Sequence, residues 1–377
     1  MEEAQPGYSP CLAAFTDALN EVCEGKGWYV STKQLQLVSL GFCAACRSVS
    51  KFSLVVDIRS PMHMWTDGTG PNARHAEQRR SSRVPFLRFR KVAWMLPISV
   101  MVQAGERLSG LEQLWLDCNM DIRASNVVWP RGLKMLVFGD RFNQPIGKVT
   151  WPPSLQQLTF GEDFNRPLTN VTWPCSLLRI TFGREFNHPI HKGPLPSMVQ
   201  GLHFGSRFNQ PIDSVTWPAR LQDLSLGYNF DQPIAGVSWP GSLKRVIFST
   251  CFNQEIGMVM WPACLQVLVL GYFFNQPIDG VTWPASLQQL IFGYRFNQPI
   301  ERVVWPASLK VLMFDGYFDQ PIAGVSWPTS LQKLRFGDLF GQPLNTVEWP
   351  PSLKGLTVGM RFYRPNLSRR GSALISS

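Results

Sequence analysis

The chain has 377 residues, 45% of them hydrophobic and 16% charged, with a net charge of +10. The composition is globular, and no apolar run reaches the roughly 18 residues that a membrane helix requires. The positive excess is spread as +3 over residues 1–106, +5 over 107–366 and +2 over the rest; that gives a weak pull toward acidic partners and is not the concentrated basic stripe of a nucleic-acid binder.

Residues 1–84 differ in kind from the rest. The opening MEEAQPGYSP is acidic and polar, unlike a secretion signal. In SPCLAAFTDALNEVCEGKG, Pro10 follows Ser9 at a helix first turn, Phe15, Ala18, Leu19 and Val22 share one face, and glycine closes the segment. A short amphipathic helix is expected there, packing on the remainder of the chain or docking a partner. Cys43 and Cys46 form a lone C-x-x-C with no second pair and no nearby histidine, too few ligands for a zinc site. Residues 66–84 read as a linker, and Arg79, Arg80, Arg83, Arg88, Arg90 and Lys91 cluster with no acid among them. A solvated linker explains that run; a nuclear-import or phosphate-binding patch is its functional alternative. The Leu-Pro opening and leucine pattern of an F-box are missing from this region.

Beyond it the chain repeats. Trp-Pro occurs at Trp129, Trp151, Trp173, Trp217, Trp239, Trp261, Trp283, Trp305, Trp327 and Trp349, always 22 residues apart or twice that, with Leu195-Pro196 in the one gap. Phenylalanines keep the same beat from Phe142 to Phe362. A fixed period of roughly 20–50 residues marks a stacked-repeat architecture. Stepping back 22 residues from Leu111, Leu114 and Leu116 reaches Phe89, Val92 and Trp94. Residues 85–106 therefore read as a degenerate capping coil, although RFRKVAWMLPISVMVQA also has the charged-then-apolar order of a membrane anchor. A cap is needed because an open last coil offers free strand edges.

Within one coil, residues 155–164 read LQQLTFGEDF, and Leu158 and Phe160 alternate as on a strand with one buried face. The expectation is a short strand at 155–160 and its equivalents, stacked in parallel about 4.8 Å apart. Gly161 ends it, a phase held elsewhere by Asp117, Asp315 and Ser249; glycine and aspartate suit turn conformations. Phe164, Phe186, Phe208, Phe274 and Phe296 are expected to stack as an aromatic column inside the coils. Asn165, Asn209, Asn275 and Asn297, with Asp231 and Asp319 in the same phase, are expected to bond stranded backbone groups at a corner. Pro167 and Pro174 exclude a helix from the return path, which is therefore extended, with Val171 and Trp173 alternating as on a second short strand. Leu168, Val171, Trp173, Leu177, Ile180, Phe182 and Phe186 are the inward set. The row Trp151, Trp173, Trp217, Trp239, Trp261, Trp283, Trp305 and Trp327 reads as packing.

The word FNQPI with a nearby W-P-x-S-L-x-x-L-x-F-G resembles the FNIP repeat family, a relative of the leucine-rich repeats, over about residues 111–366. Family members characteristically carry Ile or Leu where this chain has Trp. The resemblance implies an interaction scaffold, of a kind that can sit beside F-box or kinase modules, and it brings no catalytic residues. The expected fold is mainly β: a parallel-stranded solenoid of 22-residue leucine-rich-repeat-like coils over 85–366. A small irregular or helical region precedes it at 1–84, and a disordered tail follows at 367–377. In that tail Arg369-Arg370-Gly371-Ser372 resembles a basophilic kinase site.

Chemistry is sparse. The five histidines are His63, His75, His188, His191 and His203, and there is no H-E-x-x-H, G-x-S-x-G or glycine-rich phosphate loop. His188, His191 and His203 lack a cysteine to complete a metal set and read as local repeat decay. Cys118, Cys175, Cys251 and Cys264 each fall in a different phase, and the chain's cysteines read as free, packed thiols of a reducing compartment. No enzyme activity, cofactor or metal is expected.

The variable surface is the outward strand positions. Ile247, Val269, Ile291 and Met313 make one of the two outward columns apolar, with Val267 and Val311 beside it and Arg245 and Arg335 at its edges. An exposed apolar patch edged by charge marks a protein interface; β-branched residues on a sheet face are the plain alternative. The resulting expectation is a monomeric, non-catalytic scaffold of the cytoplasm or nucleus. It binds a protein partner through Val267, Val269, Ile291, Met313, Arg245 and Arg335. The alternative is an adaptor or substrate-recognition subunit, associated with a ubiquitin ligase or kinase, that recruits machinery through residues 1–84.

Overall fold

A computed structural model describes residues 111–116 and 124–359, together with three outlying strands, β1 (Leu54–Val56), β2 (Val92–Trp94) and β15 (Ile375–Ser376). The body is a ladder of parallel three-residue strands from β3 (Gln113–Trp115) to β14 (Gly355–Thr357). Neighbours are offset by one 22-residue coil throughout, from Gln113↔Met135 to Lys333↔Gly355. The central residue of each strand, such as Leu158, Ile180 or Leu202, is fully buried. A one-residue slip would turn that side chain into water, which pins the register.

At the ends, β15 continues the sheet beside β14 with Leu356↔Ile375, off the 22-residue period, so the segment read as a tail contributes a strand. β2 pairs antiparallel with β1 and lies against β3. The helix expected in residues 1–84, the Cys43–Cys46 pair, the basic run, Cys118, the rest of the 85–106 coil and the site at 369–372 lie outside the described residues.

The strand proper, Gln157–Thr159, is shorter than the expected 155–160. Its hydrogen bonds nonetheless reach further: the Gln156 and Gln157 N–H groups both donate to the Lys134 carbonyl, and Phe160 N–H donates to the Thr181 carbonyl. The glycine after the strand has a different cause from the expected one. Among the described residues a positive φ occurs only at Asn170 and Gly316, so Gly161, Gly183 and Gly205 hold ordinary backbone. Their constraint is steric: a Cβ on Gly205 would overlap the carbonyl oxygen of Gly183, and one on Gly183 that of Gly161.

Away from the strands the coils open. Ring centroids in the strand-end phenylalanine column stand 5.2–5.8 Å apart. The spacing rises to 5.9–6.2 Å in the Phe142–Phe340 column and to 5.9–6.4 Å between stacked tryptophans. The strands therefore lie on the tighter, inner side of the bend. This spacing also removes the second strand expected at Val171–Trp173, where the structure has none. Rings stacked that far apart hold the coils beyond ladder spacing, about 4.7–4.9 Å, and no backbone hydrogen bond joins successive coils on this path among the described residues. Where a coil carries both phenylalanines they stack face to face, as in Phe160–Phe164 at 4.1 Å; Leu226 and Leu270 take the strand-end place in two coils. All of the inward set is buried except Trp173, which is partly buried against the core.

The corner is held by side-chain rails. Asn165 N–H donates to Asn143 Oδ1 at 3.0 Å, and the same bond recurs from coil to coil up to Gly341 N–H and Asp319 Oδ1. Two further rails were not anticipated. The glutamine of FNQPI reaches back one coil, as Gln276 Nε2 does to the Asn253 carbonyl. The serine of W-P-x-S-L donates to the leucine carbonyl one coil earlier, as Ser308 Oγ does to Leu287 at 2.7 Å. The tryptophans differ among themselves: Trp173 Nε1 donates to the Pro194 carbonyl at 2.8 Å, whereas Trp239 Nε1 is buried without a partner among the described residues.

Two expectations follow for stability, both read from urea midpoints. Gly205→Ala lowers stability by about 1–3 kcal/mol or more, because backbone rather than a flexible side chain must move. Trp173→Phe is more destabilising than Trp239→Phe by about 1 kcal/mol, since the first loses a hydrogen bond and the second removes an unsatisfied donor.

Candidate functional site

Two outward surfaces meet solvent on and beside the strands. On the sheet, Ile247, Val269, Ile291 and Met313 are successive ladder partners, and Arg335 follows Met313 in the same column. Val267 lies between Arg245 and Gln289, and Val311 between Gln289 and Lys333. The six predicted contact residues thus fall on one face. The four apolar ones are half-buried because cross-strand neighbours shield one another, while Arg245 and Arg335 are exposed.

The most exposed apolar side chains are elsewhere. Met258 (82%), Met260 (81%) and Val304 (81%) stand on the return path before the tryptophans. Tyr228, Tyr272, Phe273 and Tyr317 stand on the turn after the strands. This second group has a signal in the sequence, the tyrosine in GYNF, GYFF and GYRF at 227–230, 271–274 and 293–296. The rings are ordered by one another: Tyr272 stacks on Tyr294 at 4.9 Å, and Tyr294 meets Tyr317 edge-on at 5.2 Å. The Arg295 guanidinium lies 5.0 Å from the Tyr317 ring centre and 5.9 Å from that of Phe273, within cation–π range.

The histidines separate. His188 Nε2 lies 3.2 Å from the Asn165 carbonyl, standing where glutamine stands in other coils. His203 is on the strand face between Thr181 and Ser225. Burial lowers its pKa, Arg179 and more weakly Arg245 push the same way, and Asp223 opposes them. Cys175 and Cys264 are exposed and Cys251 half-buried, so these thiols are not packed as the sequence suggested. Burial raises the Cys251 pKa, with Asp231 adding to the shift. No described helix is long and apolar enough to cross a membrane.

With this geometry in hand, comparison with known proteins is specific. The FNIP Repeat family model matches residues 127–163, 164–207, 208–251, 252–295 and 274–317. The crystal structure of CroV588, described as a novel circular LRR protein, aligns with 33% identity and a TM-score of 0.51 over 70% of this chain and 45% of that one. The chain therefore spans a little under half of CroV588. An internalin, InlF of Listeria monocytogenes str. 4b F2365, aligns with 15% identity and a TM-score of 0.51 over 71% of this chain and 79% of that one, a likeness of fold alone. No curated protein matches.

A group held below its ordinary pKa supports the fold while it stays neutral. The contribution of His203 is therefore complete above the ordinary imidazole value of about 6.5 and is lost as pH falls beneath it. Thermal melts from pH 7.5 to 5 are expected to fall more steeply for the wild type than for His203→Gln.

Proposed function

Because the chain belongs to the FNIP repeat family, we propose that it is a non-catalytic scaffold that binds a protein partner on the strand face of its solenoid. One observation carries this reading: four successive strands place Ile247, Val269, Ile291 and Met313 in a single apolar column on the solvent side of the sheet. Nothing in the core requires that. The same column holds Thr159, Thr181, His203 and Ser225 in earlier coils, so polar residues fold equally well there. The apolar run is a local choice at positions the fold leaves free.

The rim supports the same reading. Arg245 borders Val267, and Arg335 ends the apolar column, while Lys333 sits beside Val311. An apolar centre with a cationic edge suits a partner that brings an apolar surface with acidic residues around it. A stable complex covers about 800 Å² on each partner, so the footprint extends over several coils beyond the patch.

Capture by the full tagged chain, followed by quantitative mass spectrometry, tests the site. Val269→Glu with Ile291→Glu is expected to reduce recovery of the partner at least about tenfold, the effect of burying unpaired charge at an interface; the two carboxylates face each other across the ladder and lower the urea midpoint slightly, so capture is measured well below it, where the chain is folded. Met258→Glu with Met260→Glu on the return path leaves recovery intact. Equal recovery from both double variants would overturn the strand-face assignment.

A further inference from the structure

Beside the strand face, at the corner of the coils, lies an open trough enclosing about 600 Å³. Its floor is the asparagine rail, Asn253, Asn275 and Asn297, and its wall is Phe273, Arg295 and Tyr317. Each of these asparagines spends its Oδ1 on the N–H of the next coil: Asn275 on Asn253, Asn297 on Asn275 and Asp319 on Asn297. Their Nδ2 groups have no partner among the described residues. The floor therefore presents a row of hydrogen-bond donors, and the guanidinium of Arg295 adds a charged donor held between two rings. Asp231 closes one end of the trough, its Oδ1 accepting from Asn253 N–H and from Gln254 Nε2, so the acidic end lies away from Arg295 along the rail.

We propose that this trough is a second binding surface, distinct from the strand face, and that it takes an extended peptide segment carrying an acidic side chain. Spacing is the first reason. The phenylalanine rings that precede these asparagines, Phe252, Phe274, Phe296 and Phe318, stack 6.0–6.1 Å apart between centroids, and the asparagines one residue on follow that rise from coil to coil. An extended peptide advances 3.2–3.4 Å per residue and turns alternate carbonyls to the same side about 6.4–6.8 Å apart. A segment of about six residues laid along the axis thus offers one carbonyl to each asparagine with little adjustment. Polarity is the second reason. A sugar chain brings hydroxyls that both donate and accept, whereas the asparagine Nδ2 groups of the floor and the Arg295 guanidinium only donate, which matches a row of carbonyls. Arg295 then selects an acidic side chain in the same segment. The trough is open along its length, which suits a polymer lying across it rather than an enclosed small molecule. Peptide recognition in this form is main-chain hydrogen bonding for affinity with side-chain contacts for choice.

The full chain, probed on an array of randomised octapeptides and in parallel on an array of glycans, decides the matter. Octapeptides containing Asp or Glu are expected to be retained. Arg295→Glu should weaken those about tenfold or more and shift retention to peptides containing Lys or Arg. Phe273→Ser with Tyr317→Ser should weaken retention regardless of peptide charge; all three side chains are exposed, and urea midpoints check that the fold persists. The strand-face variant Val269→Glu with Ile291→Glu should retain the peptides as wild type does, so failure of one surface leaves the other standing. Retention of glycans alone, no octapeptide above background, or the same peptides held equally by Arg295→Glu would each overturn the proposal, and loss in the strand-face variant would move the peptide to that face.

Discussion

Successive coils must touch at two distances at once. On the strand side the backbone ladder draws them together, and the glycines at 161, 183 and 205 let the carbonyl of one coil sit where a Cβ of the next coil would be. On the far side, stacked tryptophans hold them 5.9–6.4 Å apart. The difference bends the stack toward the strands. It also decides which parts of the coil carry regular structure. Backbone hydrogen bonds survive where the spacing is small, and side-chain stacking replaces them where it is large.

A coil of this size turns several corners, and each corner leaves backbone donors and acceptors without strand partners. The asparagine, glutamine and serine rails answer that need one coil at a time. The described core contains no buried polar or charged residue, so the rails stay at the margin of the apolar interior. The exceptions among the described residues are eight indole N–H groups and His203 Nε2, buried and unpaired. Trp173 escapes because the irregular coil after it presents the Pro194 carbonyl. Tryptophan is kept here for its area and stacking, at the cost of an unsatisfied donor.

The same rails shape the outward surface. A glutamine or asparagine bonded to the coil below cannot swing freely, so the groups that remain unbonded are presented at a fixed interval. Side chains that point outward from the strand are free to vary, because their neighbours are other outward side chains rather than the core. That combination of a repeating interior and a changeable exterior lets a stack of near-identical coils carry different surfaces along its length. In this chain the apolar strand column and the ordered aromatic turn fall in overlapping coils, between about Tyr228 and Arg335.

The 22-residue period, the family resemblance, the parallel register and the buried Leu, Phe and Trp columns were legible in the amino-acid order. One hydrophobic rhythm held over eleven units admits few other ways to bury itself. The role of the asparagine was legible too, as corner chemistry. Other features depended on distances between coils, which no single coil encodes. The glycine is required by a carbonyl 22 residues away rather than by its own φ. Trp173 and Trp239 look alike in sequence and differ because only one finds an acceptor across the stack. The half-burial of Val269 and Ile291, and the gathering of Phe273, Arg295 and Tyr317 around the asparagine floor, arise only when residues one or two periods apart become neighbours.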